Sequence, residues 1–296
     1  MLKKQIIAEI NANGQMPIDR YIELCNTHYY SSRDPLGKDG DFTTAPEICQ
    51  IFGEMIAVWA ITKWQEIGAP NEFALVELGA GRGTLMADLL RAAKVLPGFN
   101  PQIHIVEISP ILREKQREKL FDINVQWHAT TPILDIPTIV IANEFFDALP
   151  IKQFIGTEER KISAVNGELI FTHPARDIRE ISPVSEEIMH EISSNYAGGI
   201  IIDYGYITGT GDTFQALKAH RHVGTLEHCG DADLTSHVNF SRLAEISTKP
   251  CKITTQGEFL LHYGGAIRAK KLGQEADFAR LASPEQMGEL FKVLTF

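Results

Sequence analysis

Positive charge is scarce in this 296-residue sequence. Lysine and arginine number 28 against 38 aspartate and glutamate residues, which gives a formal net charge of −10 at pH 7. Broad, phosphate-driven binding of nucleic acid needs a positive field, and so does attraction to anionic membrane surfaces. The composition therefore excludes both as default partners, and we expect no nucleic acid among the partners of this protein.

Cysteines and long apolar runs are also few. The four cysteines, Cys25, Cys49, Cys229 and Cys251, contain no C-x-x-C pair and form no disulfide-rich pattern, which favours a reducing compartment. No apolar run approaches the roughly 18 residues that a membrane-spanning helix needs. The first residues, MLKKQIIAEINANG, lack the features of a signal or transit peptide. We therefore expect no membrane insertion and a cytoplasmic location.

The first 70 residues are predicted to be mainly helical. Residues 1–13 and the segment after them favour two helices, followed by a polar, turn-rich stretch from His28 to Phe42. Apolar residues from Ile48 to Trp59 then recur with the spacing of one helix face. Thr44 and Glu47 fit a capping box at the start of this third helix.

From residue 73 onward, short apolar runs alternate with helical stretches. Near-continuous isoleucine and valine runs are typical of strands buried on both faces of a parallel sheet, so the alternation indicates the doubly wound α/β class. The predicted strands and helices are Phe73–Leu78, Thr84–Lys94, Ile103–Ile108, Pro110–Leu120, Asn124–Trp127, Thr138–Ala142 and Gly199–Asp203. The C-terminal segment Pro284–Leu294 is predicted to be a further helix.

Residues 151–198 interrupt this alternation. They contain short strands, a hairpin turn at Asn166-Gly167 and one helical stretch, Pro183–Ser194. The sequence therefore predicts three parts, which are an N-terminal helical cover at 1–70, a core at 71–150 and 199–296, and an inserted α+β element at 151–198.

A glycine-rich turn follows the first predicted strand of the core and precedes a helix. Its residues, in the order G-x-G-x-G, are Gly79, Ala80, Gly81, Arg82 and Gly83. Small residues let a ligand approach the backbone, and ligands of open α/β sheets bind beyond the carboxyl ends of the strands. A dinucleotide fingerprint has the different spacing G-x-G-x-x-G, so a nicotinamide dinucleotide is an alternative, as is a turn with no ligand.

Two acids stand at the ends of neighbouring strands. Glu77 precedes the glycines, where it can hold an ammonium group, and Glu107 ends the next strand, where it can accept hydrogen bonds from two ribose hydroxyls. ELGAGRGT, followed by the VE of the next strand, resembles the class I S-adenosylmethionine-dependent methyltransferases, which have a Rossmann-like, mostly parallel sheet. This resemblance implies S-adenosyl-L-methionine as cofactor and S-adenosyl-L-homocysteine as product.

Further candidates follow the later strands. His128 stands where a side chain can flank an adenine, with a surface histidine as the alternative. The segment NEFFD at 143–147 follows the fourth strand, and its two carboxylates and two aromatic residues can bind a guanidinium group. The alternative is a helix N-terminus, with Asn143 as its cap and with Glu144 and Asp147 favoured by the helix dipole.

Long motifs run in order from about Tyr29 to Phe291. They are YYSSRDPLGKDGDFTTAPEICQIFGEMIAVW, VELGAGRGTLMADLLRA, ANEFFDALPIKQF, DYGY, GDTFQALKAHRHV, ADLTSHVNF, TQGEFLLHYG and MGELFKVL. Together they resemble the MidA or complex I assembly factor family of methyltransferases. The resemblance implies, for the mitochondrial members, symmetric dimethylation of an arginine on a subunit of respiratory complex I.

The resemblance also implies roles for single residues. It assigns the following to the cofactor and its sulfonium: Gly79, Gly81, Gly83, Glu107, Asn143, Glu144 and Asp147. The family-specific GDFTTAPE stretch, Gly40 to Glu47, is expected to fold over the cofactor. Asp41 and Thr43 are its candidates for contacts to the methionine part, and the alternative is that they only cap the following helix.

Two later segments are candidates for the acceptor side. Asp203-Tyr204-Gly205 ends the fifth strand and either lines the acceptor pocket or forms a plain turn. The histidine-rich stretch His220 to His237 matches no closed zinc pattern, so we expect no metal and favour a loop that covers the substrate. His228-Cys229 stands where the family often has an acid and a proline, so this loop is expected to depart from the family's shape.

These features predict methyl transfer to a protein arginine. An arginine is protonated at neutral pH, so a carboxylate must orient it and receive a proton, with Glu144 as first candidate and Asp147 as second. One alternative is an assembly factor or chaperone that binds a partner subunit and uses the cofactor mainly as a structural element. The two further alternatives are a small-molecule methyltransferase and a nicotinamide-dependent enzyme.

Overall fold

The computed structural model describes residues 1–34, 41, 43–209 and 211–296. The helices are α1 (Leu2–Asn13), α2 (Ile18–Ser32), α3 (Ala45–Ile48), α4 (Ile51–Glu66), α5 (Thr84–Ala93), α6 (Pro110–Lys119), α7 (Pro183–Asn195), α8 (Phe240–Ile246), α9 (Gln256–His262), α10 (Gly265–Leu272) and α11 (Glu275–Ala282). Gly40 and Phe42 of the predicted GDFTTAPE stretch lie outside the described residues.

The strands are short, as the apolar runs predict. They are β1 (Met16–Pro17), β2 (Ala74–Leu78), β3 (Gln102–Val106), β4 (Val125–His128), β5 (Thr138–Asn143), β6 (Lys152–Ile155), β7 (Glu158–Val165), β8 (Glu168–Phe171), β9 (Ile178–Ile181), β10 (Gly198–Tyr206), β11 (Gln215–Lys218), β12 (Arg221–Val223), β13 (Asp233–Thr235), β14 (Val238–Asn239), β15 (Lys252–Thr255) and β16 (Phe291–Thr295).

The central sheet has the strand order β15-β16-β10-β5-β2-β3-β4, with β14 paired to the end of β10. Strands β10, β5, β2, β3 and β4 are parallel, and β16 runs antiparallel to both of its neighbours. Leu78, the last residue of β2, pairs with Val106 of β3 and Ala142 of β5. The residues that follow these three strands therefore meet at one edge of the sheet.

Helices cover both faces of this sheet, and as a result every residue of β2 is buried. Leu75 packs in one hydrophobic cluster with α4 and α5, and the next residue, Val76, packs in another with α7 and α8. Alternate residues of a strand point to opposite faces, so β2 contributes to both clusters. The predicted α/β class with a mostly parallel sheet is confirmed.

A second sheet, β1-β7-β6-β9 with β8 beside β7, includes most of the inserted segment. Its β7–β8 hairpin turns at Asn166 and Gly167, both with positive φ, as the sequence predicts. A hydrophobic cluster joins α1 and α2 to this sheet, whereas α4 packs against the central sheet. The predicted division into an N-terminal cover (1–70), an insertion (151–198) and a core stays a prediction. Within the predicted cover, α4 packs against the core sheet.

Two local predictions are wrong. The C-terminal segment predicted as a helix is an irregular turn, Pro284–Gly288, followed by strand β16. Pairing with β10 and β15 on both sides decides this conformation, and helical periodicity cannot detect it. The predicted third helix is broken at Cys49 into α3 and α4, and Thr44 makes no side-chain capping hydrogen bond.

No helix within the described ranges is long and apolar enough to cross a membrane.

Candidate active site

A cavity of about 270 Å³ opens at the carboxyl edge of the central sheet. Five segments surround it, namely the glycine-rich turn after β2, the residues after β3, helix α2, the α3 segment and the loop after β5. These segments are far apart in the sequence. The alignment of the strand ends brings them together, as expected for ligand sites of open α/β sheets.

The glycine-rich turn has a backbone that only glycine adopts easily. Gly79, Gly81 and Gly83 have φ angles of 64°, 53° and 80°, all in the left-handed region. A Cβ atom on Gly79 would lie 2.8 Å from Cδ2 of Phe145, so this glycine also lets the loop after β5 approach the turn. Ala80 lines the cavity between the glycines.

Glu77 is a buried acid on the cavity wall. Its side chain is 2% exposed, and no atom of the described residues forms a hydrogen bond with its Oε2. Burial, together with the nearby charge of Glu107, raises the pKa of Glu77 to about 8. A cation beside this carboxylate would offset the cost of ionising it, so the site suits an ammonium-bearing ligand.

Glu107 lines the same cavity at the end of β3. Its Oε1 accepts a hydrogen bond from the Ser109 N–H at 2.8 Å, and its Oε2 accepts one from Nε2 of Gln116 at 3.3 Å. Burial raises the pKa of Glu107, although these two hydrogen bonds lower it. The carboxylate is thereby held in one orientation, with capacity to accept further hydrogen bonds from hydroxyl groups.

Gln116 is a site residue that sequence reasoning missed. Its Nε2 also donates to the Gly81 carbonyl at 2.8 Å, and its Oε1 accepts from Nε1 of Trp127 at 2.9 Å. One fully buried side chain therefore joins the glycine-rich turn to Glu107. In the sequence Gln116 stands among charged residues of a helix, REKQREK, where nothing marks it as buried.

His128, the candidate for an adenine contact, is the last residue of β4 and does not line the cavity. Its Nε2 lies 2.9 Å from Nδ1 of His104, and the two rings are stacked with centroids 5.1 Å apart. Burial lowers the pKa of both histidines. The adenine role of His128 stays a prediction that the present side-chain position does not favour.

Asp41 binds protein groups at both carboxylate oxygens. The Tyr29 hydroxyl donates to Oδ2 at 2.6 Å, and the Ala219 N–H donates to Oδ1 at 2.6 Å. Asp41 thus ties the family-specific stretch to α2 and to the β11–β12 turn, and its side chain does not cap α3. Thr43 precedes Thr44, which lines the cavity. Contacts of Asp41 and Thr43 to a cofactor stay predictions.

Asn143 and Glu144 come directly after Ala142, the last residue of β5 that pairs with β2. Glu144 has a φ of 49°, unusual for a residue with a side chain, and its N–H donates to the Ile202 carbonyl. Its Oε1 accepts hydrogen bonds from the Ala45 N–H at 3.1 Å and from Nδ2 of Asn143 at 3.2 Å. Among the described residues no hydrogen-bond partner of Oε2 is seen.

The cavity lies directly against the Glu144 side chain. Burial and the charge of Asp147 raise the pKa of Glu144 to about 8. A carboxyl group of this kind can hold a proton near neutral pH and is poised to exchange it with a bound group. The positive φ at a strand end above a cavity is a geometry that functional residues often adopt.

Asp147 lies behind the cavity wall and is 7% exposed. Its Oδ2 accepts a hydrogen bond from the Tyr204 hydroxyl at 2.6 Å, and its Oδ1 is buried without a partner among the described residues. Burial raises the pKa of Asp147 to about 6. Asp203 accepts hydrogen bonds from the Phe146 and Asp147 N–H groups, which fixes the loop after β5.

Tyr30 and Asp233 are further residues of this region. The Tyr30 hydroxyl donates to Oδ1 of Asp233 at 2.7 Å, and Tyr30 lines the cavity. Burial and the charge of Asp147 raise the pKa of Asp233 to about 8. The His220 to His237 stretch thus supplies the acid that orients the Tyr30 hydroxyl, although Asp233 itself does not line the cavity. Within the described part of the chain, no group of three potential ligands is arranged to hold a metal ion.

Comparisons with known proteins agree with this geometry. A family model described as "Putative S-adenosyl-L-methionine-dependent methyltransferase" matches residues 55–173 and 161–259. The chain belongs to this S-adenosyl-L-methionine-dependent methyltransferase family. The predicted MidA-type resemblance and the predicted cofactor are therefore confirmed, and the nicotinamide alternative is wrong.

Curated relatives match nearly the whole chain. "Protein arginine methyltransferase NDUFAF7, mitochondrial" of Xenopus tropicalis is 30% identical over 362 residues, which cover 98% of this chain and 84% of the relative. The protein of the same name in Danio rerio is 32% identical, with 98% and 85% covered, and that in Homo sapiens is 30% identical, with 97% and 81% covered. These relatives are named mitochondrial, so the predicted cytoplasmic location stays a prediction.

A solved structure is similar over the complete chain. It is described as a "likely methyl transferase from Burkholderia thailandensis bound to S-adenosyl-homocysteine". It is 26% identical, covers 100% of this chain and 91% of its own, and superposes with a TM-score of 0.89. The protein is thus an S-adenosyl-L-methionine-dependent methyltransferase in sequence and in fold.

Proposed function

We propose that this methyltransferase transfers a methyl group to the side chain of an arginine in a protein. The observation that carries the proposal is a set of acids, with Glu144 on the cavity wall and the buried residues Asp147, Asp203 and Asp233 near it but not lining the cavity. The charge of Asp147 raises the pKa of Glu144, Asp203 and Asp233, and no lysine or arginine of the described residues forms an ion pair with any of these four acids. Buried carboxylates without a cation partner are costly, and a guanidinium group would compensate them.

The cofactor end of the cavity fits the cation expected for this family. Glu77 supplies a buried carboxylate oxygen without a hydrogen-bond partner in the described chain, and Glu107 supplies acceptors for ribose hydroxyls. Gly79, Ala80, Gly81 and Asn143 bring backbone and amide groups close to the same space, and Gly83 ends the turn with a left-handed backbone. When bound, S-adenosyl-L-methionine supplies an electrophilic methyl group.

Glu144 acts on the acceptor in this proposal. Hydrogen bonds from Ala45 and Asn143 hold Oε1, which leaves Oε2 to bind an N–H of the guanidinium group. A bound cation lowers the pKa of Glu144 below its value of about 8 and keeps it ionised. The nitrogen that gains a methyl group must lose a proton, and Oε2 of Glu144 receives it. Asp147 adds negative charge behind Glu144.

The names of the curated relatives support the substrate class, because each is called a protein arginine methyltransferase. On the same basis we propose a protein partner with an accessible arginine, and a respiratory complex I subunit as one candidate from the family resemblance. Glu144 and Asp147 as acceptor residues are part of the proposal.

Labelled cofactor tests this function directly. The purified protein is incubated with methyl-labelled S-adenosyl-L-methionine and an extract of cells that lack its gene, and labelled bands are identified by mass spectrometry. We expect label on an arginine side chain of one or a few proteins. Label only in small molecules would favour a small-molecule methyltransferase.

The same experiment distinguishes the proposed methyltransferase activity from the alternative of an assembly factor that uses the cofactor only as a structural element. It would capture a partner from the extract and bind S-adenosyl-L-homocysteine, yet transfer no label to protein. That combination would contradict the proposed activity.

A further inference from the structure

Helix α2 forms one wall of the cavity. Its lining residues are spaced by three and four positions, which puts them on one face of the helix, and they are Glu23, Asn26, Thr27 and Tyr30. Tyr30 is the aromatic residue of this wall and is only partly buried. An aromatic ring offers a ligand a large apolar surface whose face has a negative electrostatic potential.

The backbone of Tyr30 is fixed beside the acid proposed for the ribose hydroxyls. Its carbonyl accepts a hydrogen bond from Oγ of Ser109 at 2.6 Å. The N–H of the same serine donates to Oε1 of Glu107 at 2.8 Å. A single residue therefore joins the backbone of Tyr30 to the Glu107 carboxylate.

The hydroxyl of Tyr30 is fixed on the opposite side, next to the loop after β5. It donates to Oδ1 of the buried Asp233 at 2.7 Å. Asn26, one turn earlier in α2, donates through Nδ2 to the carbonyls of Leu234 and Ala148, at 2.8 and 2.9 Å. Leu234 follows Asp233, and Ala148 belongs to the loop after β5. These hydrogen bonds hold that loop, Asp233 and the Tyr30 hydroxyl together.

The ring of Tyr30 thus lies between Glu107 and the loop that carries Glu144. Its carbonyl and its hydroxyl are both engaged within the protein, so what it offers a ligand is the ring. The sulfur of S-adenosyl-L-methionine is bonded to the ribose on one side and to the amino-acid chain on the other. With the ribose at Glu107 and the ammonium at Glu77, the sulfonium falls between these acids, and its methyl group must point toward the acceptor.

We propose that the ring of Tyr30 packs against the sulfonium of S-adenosyl-L-methionine and makes the site prefer this charged cofactor over the neutral product. A cation within about 6 Å of an aromatic ring is attracted to it, and more strongly where water is excluded. Methyl transfer leaves the electron pair of the broken S–C bond on sulfur, so S-adenosyl-L-homocysteine is a neutral thioether there and lacks this attraction. Tyr30 thereby favours exchange of the product for the next cofactor molecule. The inference concerns the cofactor alone and does not depend on the acceptor.

Calorimetric titrations without an acceptor test this role. The measured quantity is the ratio of the affinities for S-adenosyl-L-methionine and S-adenosyl-L-homocysteine. Sinefungin, which has an ammonium group in place of the methyl sulfonium, is the second cationic ligand. Tyr30→Phe removes the hydroxyl and keeps the ring, whereas Tyr30→Leu and Tyr30→Met remove both. We expect Tyr30→Phe to stay within about twofold of the wild-type ratio, and the two non-aromatic variants to lose about fivefold to thirtyfold of the preference for the cations.

Tyr29 provides the matched control. Its ring contacts that of Tyr30 edge to face, with centroids 5.1 Å apart, but it is fully buried and does not line the cavity. Tyr29→Leu therefore removes a neighbouring ring of the same helix, and any loss of packing should weaken the cationic and neutral ligands alike. Thermal unfolding verifies that each variant is folded. Because two non-aromatic variants are measured, the comparison stands if one of them does not fold.

Two results would overturn the contact between the ring and the sulfonium. One is a wild-type ratio in Tyr30→Leu or Tyr30→Met. The other is an equal fall of the ratio in Tyr30→Phe, which would assign the preference to the hydroxyl and Asp233 instead of the ring. Transfer of label to arginine in the cell extract depends on neither result, so a failure of this inference is distinguishable from a failure of the proposed function.

Discussion

The Ala45 N–H donates a hydrogen bond to Oε1 of Glu144 at 3.1 Å, although the two residues are 99 positions apart in the chain. Ala45 begins α3, and in the same short helix Glu47 accepts a hydrogen bond from Oγ1 of Thr84, the first residue of α5. The α3 segment therefore contacts both the cofactor side and the acceptor side of the cavity.

Glu144→Gln should abolish methyl transfer without loss of the cofactor. Glutamine can still accept hydrogen bonds from Ala45 and Asn143 through its oxygen, but it cannot take up a proton. We expect label transfer to fall by about 10²–10⁴-fold, the usual contribution of a general base. Affinity for S-adenosyl-L-homocysteine, measured by calorimetry, should stay within about twofold. The exposed residue Glu114 gives the control variant Glu114→Gln, and unchanged turnover in Glu144→Gln would remove Glu144 from the mechanism.

Cofactor binding should strengthen as the pH rises from 6 to 8. The pKa of Glu77 is about 8, so the carboxyl is mostly protonated at pH 6 and must lose its proton to pair with a cation. We expect affinity for S-adenosyl-L-homocysteine to rise by up to about tenfold per pH unit below the pKa, then level off.

Calorimetry in buffers of different ionisation enthalpy should detect the proton that Glu77 releases on binding. Glu77→Gln should bind more weakly at pH 8 and should lose most of the pH dependence. A wild-type affinity that is flat between pH 6 and 8 would contradict the assignment of Glu77 to the ammonium group.

Gln116→Leu should weaken cofactor binding although Gln116 lies behind Glu107. Leucine removes the hydrogen bonds to Gly81 and Glu107 and leaves the Trp127 N–H without its acceptor. We expect roughly tenfold lower affinity for S-adenosyl-L-homocysteine, which corresponds to one or two lost buried hydrogen bonds.

Gln116→Glu provides a readout that a purely structural role would not alter. A protonated glutamic acid can donate to Glu107, whereas an ionised one repels it, so affinity should decline with rising pH in this variant. If Gln116→Glu follows the wild-type pH profile, the link between Gln116 and Glu107 does not control binding.

Gly79→Ala should destabilise the protein more than an equivalent change elsewhere. Gly167 is a matched control because its φ is also positive, at 82° against 64° for Gly79, yet no atom lies within 4 Å of a Cβ built on it. Left-handed backbone alone costs about 1–2 kcal/mol in Gly167→Ala. The contact with Phe145 should add about 1–3 kcal/mol in Gly79→Ala.

Urea unfolding measures both free energies of unfolding, and binding of S-adenosyl-L-homocysteine should weaken only in Gly79→Ala. Equal destabilisation of the two variants would show that Phe145 moves aside at no cost.

The strand-end residues were accessible from the sequence because their signals are local. Glu77, the glycines, Glu107 and Glu144 each follow a short apolar run, and the carboxyl ends of parallel strands meet at one edge. The capping box at Thr44 and the C-terminal helix were wrong for the opposite reason. There, contacts with Glu144, Thr84 and the two strands beside β16 override the local preference.

By itself the sequence determined the strand–helix alternation, the left-handed glycine turn and the acids at the strand ends. Each depends on the order of neighbouring residues and on backbone geometry. Only the tertiary structure decided that Gln116 joins Gly81 to Glu107 and that Tyr30 binds Asp233, 203 positions away. A polar residue is buried only when distant segments satisfy its hydrogen bonds, and those partners are chosen by packing.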